Sequence, residues 1–144
     1  KIYPTLVKQG QNTKKERVIS EETSKKMVKM LRKVVDKDDP MQGTAKKADI
    51  GGYGVIGKTG TAIKASKTSK GYSKEVMTVF VSAYPEEKPE YLLLVMIDEP
   101  KVIPSKGLYR SDSGWNAVPT AGTIIKRIGP ILASKNYNIA FNAK

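Results

Sequence analysis

The chain has 144 residues, with 26 basic against 14 acidic side chains, a formal net charge of +12, no cysteine and no histidine. Without those two residue types it cannot build disulfides, thiolate or imidazole metal sites, a cysteine nucleophile or a Ser-His-Asp triad. No apolar run approaches the ~18 residues of a membrane span, and the length fits one domain able to bury roughly 70% of its unfolded surface.

The basic surplus is a hint of an anionic partner. The lysines are scattered through loops and polar helix faces with no interleaved aromatics, however, so they read as solvated surface and no nucleic-acid partner is expected. Because the sequence begins at Lys1 and not at Met, it is expected to be a piece of a longer protein or a processed one.

Taken in order, residues 1–19 are polar and punctuated by Pro4 and Gly10, with Ile2, Tyr3, Leu6, Val7, Val18 and Ile19 available to pack. They are expected to lie across a larger body as short extended pieces. Ser20 offers a helix N-cap, Glu21 and Glu22 suit the positive end of the dipole, and Met27, Met30, Leu31, Val34 and Val35 recur at helical spacing. This predicts a helix over 20–36 with the two methionines as core filler. It ends in Asp36-Lys37-Asp38-Asp39-Pro40, whose aspartates read as turn and cap residues in preference to a cation site. Residues 43–54 read as loop.

Strands are predicted over 55–63, 76–84 and 91–98, with a basic Ser/Gly-rich connection at 64–74 and a turn at 85–90. Hairpin-length connections make this an antiparallel meander. The third strand is almost unbroken in its apolar character and should be the most buried. After an irregular stretch, Val118, Ala121, Ile124, Ile125, Ile128 and Leu132 predict a helix over 117–132, with Asn116 as its cap and Pro119 in its first turn. The fold class is therefore α+β: a three-stranded antiparallel sheet, part of a larger sheet, with one helix before and one after packing on it.

The chemistry concentrates in Gly57-Lys58-Thr59-Gly60-Thr61-Ala62. In an extended chain Thr59 and Thr61 share one face while Lys58 and Gly60 share the other. Two hydroxyls can donate to a carboxylate, Lys58 adds positive charge from beside it, and Gly60 allows close approach of another backbone or helix. A rival pattern overlaps it. Gly52 to Thr59 satisfies the G-x-x-x-x-G-K-T of a phosphate-binding loop, and Leu92 to Glu99 looks like an apolar strand ending in a magnesium-holding Asp. That loop needs a buried strand before its first glycine and a helix starting at Lys-Thr. Ala45-Lys46-Lys47-Ala48-Asp49 cannot be that strand, and the Gly- and Ser-rich stretch after Thr59 cannot be that helix. A nucleotide- or nucleic-acid-binding module remains the alternative reading.

Arg17-Val18-Ile19-Ser20-Glu21-Glu22 before a helix, Gly57 to Ala62, Gly71-Tyr72-Ser73, a strand ending at Pro85, Tyr91 to Pro100 ending in Ile-Asp-Glu-Pro, and a closing Ala-x-Pro helix occur together. This run, over nearly the whole chain, resembles the C-terminal part of the transpeptidase domain of class B penicillin-binding proteins, the division-type peptidoglycan D,D-transpeptidases. Ser82 and Ala83 stand where a glycine is expected, and Ser113-Gly114-Trp115 replaces a Gly-Gly pair.

The resemblance implies acyl transfer by a serine on the D-Ala-D-Ala end of a peptidoglycan stem peptide, with β-lactams acylating the same serine. It implies that Lys58 helps polarise the site and attracts the substrate carboxylate. Thr59 and Thr61 would hydrogen-bond that carboxylate, Gly60 would let the nucleophile's helix pack on the strand, and the Thr61 N–H would complete the oxyanion hole. Lys58 and Thr61 are thus the candidate catalytic residues, and Thr59, Gly60 and Thr61 the substrate-binding ones, with no cofactor or metal. The family's S-x-x-K nucleophile is not matched by any serine of the chain, and its S-x-N element only by Ser134-Lys135-Asn136, which follows the last predicted helix. The chain alone is therefore expected to be inactive. Its parent is expected to be anchored in the cell membrane and to work on the periplasmic side. The isolated piece is expected to dimerise, swap elements or aggregate.

Overall fold

The computed structural model describes residues 16–141 apart from 42, 67, 69 and 108, with side chains as far as Ser134. The expectation for Ile2, Tyr3, Leu6 and Val7 lies outside the described residues. Helix α1 runs Glu21–Val35, and Ser20 caps it by accepting the Thr23 N–H at 3.0 Å. Glu21 and Glu22 pair one turn on with Lys25 and Lys26, at 2.8 and 2.6 Å, the favoured orientation for acidic residues at a helix start.

The face that α1 turns inward differs from the predicted one. Val28, Leu31 and Arg32 are half-buried and Val35 is fully buried, a spacing of three, one and three that makes one stripe. Met27 and Met30 are 44% and 55% exposed, so they do not fill the core. The apolar pattern misleads because the inward stripe contains a charge, Arg32, which is held by ion pairs.

Three strands follow: β1 Ile56–Ala65, β2 Tyr72–Tyr84 and β3 Tyr91–Asp98, antiparallel in the order β1-β2-β3. Gly57 pairs with Ser82, Lys58 with Val81 and Thr59 with Phe80, while Phe80 pairs with Val95 on its other side. The first hairpin is longer than the sequence suggests, because part of the basic connection continues both strands past a bulge between Ile63 and Ala65. Ser66 N–H bonds the Gly71 carbonyl at 2.9 Å. Lys64, on this extension, reaches across to Asp98 at 2.6 Å and Glu99 at 2.8 Å and fastens the outer strands to each other.

Alternation along β2 sends Thr78, Phe80, Ser82 and Tyr84 to one face, where all four are buried. There they join Val35 of α1 and Ala117, Val118, Ala121 and Ile125 of the closing helix α2. The central strand is therefore the most buried, and the expectation for β3 is corrected. Leu92, Leu94 and Met96 of β3 stay 73%, 52% and 55% exposed, since they occupy the face opposite α2, where Ile56 at the start of β1 is the one buried strand residue among those described.

Helix α2 runs Ala117–Phe141, nine residues beyond its predicted end at 132, with Pro130 inside it. A proline interior to a helix removes one N–H and crowds the carbonyl four residues back, yet the helix passes through it. Ser134-Lys135-Asn136 accordingly lies inside α2 and not after it, and Ser134 Oγ donates back to the Ile131 carbonyl at 2.8 Å. Asn116 fills its expected place, its Oδ1 accepting the Ala117 N–H at 2.7 Å and the Thr78 hydroxyl at 2.6 Å.

The aspartates after α1 serve the backbone as turn residues. Asp36 accepts the Asp38 N–H at 3.0 Å and Asp39 the Met41 N–H at 2.9 Å.

Arg32 Nη1 donates to Asp49 Oδ1 and to the Val55 carbonyl, each at 2.9 Å, and the Asp49 side chain is only 7% exposed. Burial pushes the Asp49 carboxyl up, but hydrogen bonds from Arg32 and the Lys37 N–H outweigh it and hold the group below the usual carboxylate range. A carboxyl depressed on folding adds stability above its unfolded value of about 4 and loses it as pH falls through the folded value. Asp49→Asn should therefore cost about 2–4 kcal/mol at neutral pH. That difference should close below about pH 4. Urea titrations of both proteins at several pH values measure it.

Candidate active site

Lys58, Thr59, Gly60 and Thr61 lie in the middle of β1, paired with Val81, Phe80, Val79 and Thr78. Their placement starts at Gly57. A Cβ there would come within 2.7 Å of the Phe80 ring and of the Val81 carbonyl, so the strand lies closer to β2 than any other residue allows. A P-loop is excluded by the same geometry, because Lys58 and Thr59 are strand residues and no helix starts at them.

Thr59 and Thr61 share the face of Phe80 on which α2 packs, and Lys58, Gly60 and Ala62 share the opposite one. Lys58 is exposed, and its Nζ donates to the Thr59 carbonyl at 2.8 Å, which keeps the ammonium beside its own strand. A Cβ on Gly60 would meet only Val79, at 3.8 Å, so nothing among the described residues requires a glycine there.

Two loops reach the threonines. Thr44 Oγ1 lies 3.1 Å from Thr59 Oγ1, and the Ser113 N–H donates to Thr61 Oγ1 at 3.3 Å. Ser113 is buried, and its own hydroxyl donates to the Val79 carbonyl at 2.8 Å, opposite Gly60. A glycine at 113, as the family resemblance led one to expect nearby, would lack that bond. Ser82, the other departure, is buried across from Gly57 and donates to the Leu93 carbonyl at 3.3 Å. Neither Thr44 nor Arg32 was singled out from the sequence. Thr44 sits in an irregular stretch that carries no periodicity, and the carboxylate that draws Arg32 inward, Asp49, lies 17 positions away.

The profile of the penicillin binding protein transpeptidase domain matches residues 1–126. The chain belongs to this family. It is 36% identical over 131 residues, 91% of its length, to the stage V sporulation protein D of Bacillus subtilis, of which it covers 18%. It is 43% identical over 86 residues, 59% of its length, to the peptidoglycan D,D-transpeptidase FtsI homolog of Nephroselmis olivacea, of which it covers 12%. Among solved structures it is similar to penicillin binding protein 3 of Mycobacterium tuberculosis complexed with ampicillin, with a TM-score of 0.65 and 28% identity. That similarity covers 85% of this chain and 27% of that one.

This stretch of transpeptidase domain thus spans about a fifth or less of the curated relatives it matches. The antiparallel sheet with a helix on either side of it in sequence, expected from the apolar pattern and the connection lengths, is the fold observed, and no comparison supports a nucleotide-binding module.

Gly57→Ala should destabilise the chain by about 1–3 kcal/mol through overpacking against Phe80. Thermal unfolding of the variant beside the parent chain checks this, and an unchanged midpoint would contradict the close approach.

Proposed function

We propose that this chain is the C-terminal part of the catalytic domain of a D,D-transpeptidase, a serine acyltransferase that cross-links peptidoglycan stem peptides during division. The observation that carries the reading is one edge strand presenting Lys58, Thr59, Gly60 and Thr61 with both hydroxyls on a single face. Those groups suit the carboxylate at the end of a D-Ala-D-Ala peptide or on a β-lactam. Lys58 supplies positive charge and polarises the site. Thr59 and Thr61 bind the carboxylate, and the Thr61 N–H is one donor of the oxyanion hole, the other coming from the nucleophile's own N–H.

The absence of S-x-x-K among the serines of this chain means the nucleophile comes from another part of the protein. Gly60, which no described residue crowds, is where the helix bearing that nucleophile packs. The parent works at the cell membrane, facing the periplasm, and is anchored there by a segment outside this chain. No helix among the described residues is long and apolar enough to cross a membrane.

Incubation with a fluorescent penicillin followed by a denaturing gel tests the assignment. The complete domain should carry a covalent band and this chain alone none; a band on the chain would mean that it holds a nucleophile. In the complete domain, Lys58→Ala should slow acylation about 10²-fold or more. Thr59→Val should mainly weaken binding of the carboxylate, by about 10-fold or more, the worth of one charge-assisted hydrogen bond.

The same sheet leaves Leu92, Leu94 and Met96 uncovered, beside the outer edge of β3. Sedimentation of the isolated chain from micromolar to millimolar concentration should show self-association. A stable monomer throughout would contradict it.

A further inference from the structure

We propose that Thr44 is a positioning residue that presets Thr59 as a hydrogen-bond donor toward the anionic end of the substrate. This deepens, and rests on, the reading of β1 as a carboxylate-binding strand. A threonine hydroxyl has one hydrogen and two acceptor lone pairs, so what it offers a ligand depends on what its neighbours do with the rest.

At Thr61 the neighbour is a backbone N–H, that of Ser113, which can only donate. Thr61 Oγ1 therefore accepts, and its single hydrogen stays available for a carboxylate. At Thr59 the neighbour is another hydroxyl, Thr44 Oγ1 at 3.1 Å, and either oxygen can be the donor. An anion decides the direction. Once Thr59 donates to it, the only arrangement that keeps both bonds is Thr44 donating to Thr59 and Thr59 to the anion, a chain in which each bond polarises and strengthens the next.

Thr44 is held where this requires it. A Cβ on Gly43 would overlap the Val34 carbonyl at the end of α1, so the loop passes that helix at a separation only glycine permits. The next residue after Thr44, Ala45, is fully buried, and its N–H bonds the same Val34 carbonyl at 2.9 Å. On the other side a Cβ on Gly114 would stand 2.9 Å from the Thr44 carbonyl, so the Ser113–Trp115 turn rests directly on Thr44. The loop that orients Thr59 and the turn that orients Thr61 thus brace each other, and the two hydroxyls are set by one assembly.

The test is made in the complete domain with a matched pair of probes, benzylpenicillin and its methyl ester. They share the β-lactam and differ in the carboxylate. Acylation rates are read by competition with a fluorescent penicillin. Thr44→Val, which keeps the shape and removes the hydroxyl, should slow acylation by the acid about 5- to 20-fold while leaving the ester within about 2-fold of the parent. Thr44→Ser, which restores the hydroxyl, should recover most of the acid rate. A loss shared equally by acid and ester, or no loss with either, would overturn the proposal; a merely structural Thr44 predicts the former. Failure of the unsubstituted domain to be acylated by the acid would overturn the reading of the site itself, and this inference with it.

Discussion

Arg32 is the fastener on which the placement of β1 depends. Its guanidinium leaves the last turns of α1 and grips Asp49 and the Val55 carbonyl at 2.9 Å, with Glu86 of the β2–β3 turn and Asp36 each 3.8 Å away. Val55 directly precedes β1 and stands three residues before Lys58. One planar, permanently charged group therefore sets the distance from a helix to the start of the functional strand. A lysine could not do the same, since it offers one ammonium and not a rigid fork. Two residues beyond the carbonyl it holds comes Gly57, whose lack of a side chain lets β1 settle under Phe80. Position along the strand and depth against the sheet are thus fixed at adjacent points by two different devices.

The sheet has two faces with different fates. On one, Phe80, Tyr84, Val95 and the buried residues of α2 make the core of the described chain. On the other, Leu92, Leu94 and Met96 stand in water. A solvated β-face normally alternates to polar residues, and this one does not. Met27 and Met30 of α1 are in the same condition. A chain spanning a fifth or less of its relatives' length leaves apolar surface of this kind wherever its neighbours belong to the remainder.

Local rules read well where local forces decide. Ser20 caps α1, Asn116 caps α2, and the alternation from Gly57 to Ile63 places Lys58 opposite the threonines, because capping and strand pleat depend on a few adjacent residues. The failures share one cause, which is that burial is a property of neighbours. Leu92 to Met96 is apolar enough for a core, and Met27 with Met30 sits at helical spacing, but neither finds cover among the described residues. Arg32 turns inward because a carboxylate 17 positions away is waiting for it, and no window around residue 32 contains Asp49. The first hairpin extends past the predicted strand ends, and Lys64 on that extension answers Asp98 and Glu99, partners that no window around residue 64 contains. The candidate site divides the same way. Its strand was legible as a motif, whereas Thr44, 15 residues from the threonine it touches, carried no signal.

The order of the strands gives the motif its meaning. Strand alternation puts the ammonium of Lys58 and the hydroxyls of Thr59 and Thr61 on opposite faces, so no ligand lying flat on either face could meet all three. A ligand at the flank of the strand can, and only an edge strand has a free flank. Among the described strands β1 is such an edge, and it lies opposite the edge beside the uncovered leucines of β3. Lys58 already bends to the carbonyl of Thr59 in the same strand, so its charge is carried to the flank and not away from the sheet. Thr44 and the Ser113 N–H each reach one of the two hydroxyls. The arrangement concentrates donors and positive charge without a nucleophile, so it can hold and polarise an anion-bearing acyl group. Under the proposed acyl transfer, the attacking group arrives from outside the described residues, and Gly60 leaves room for it.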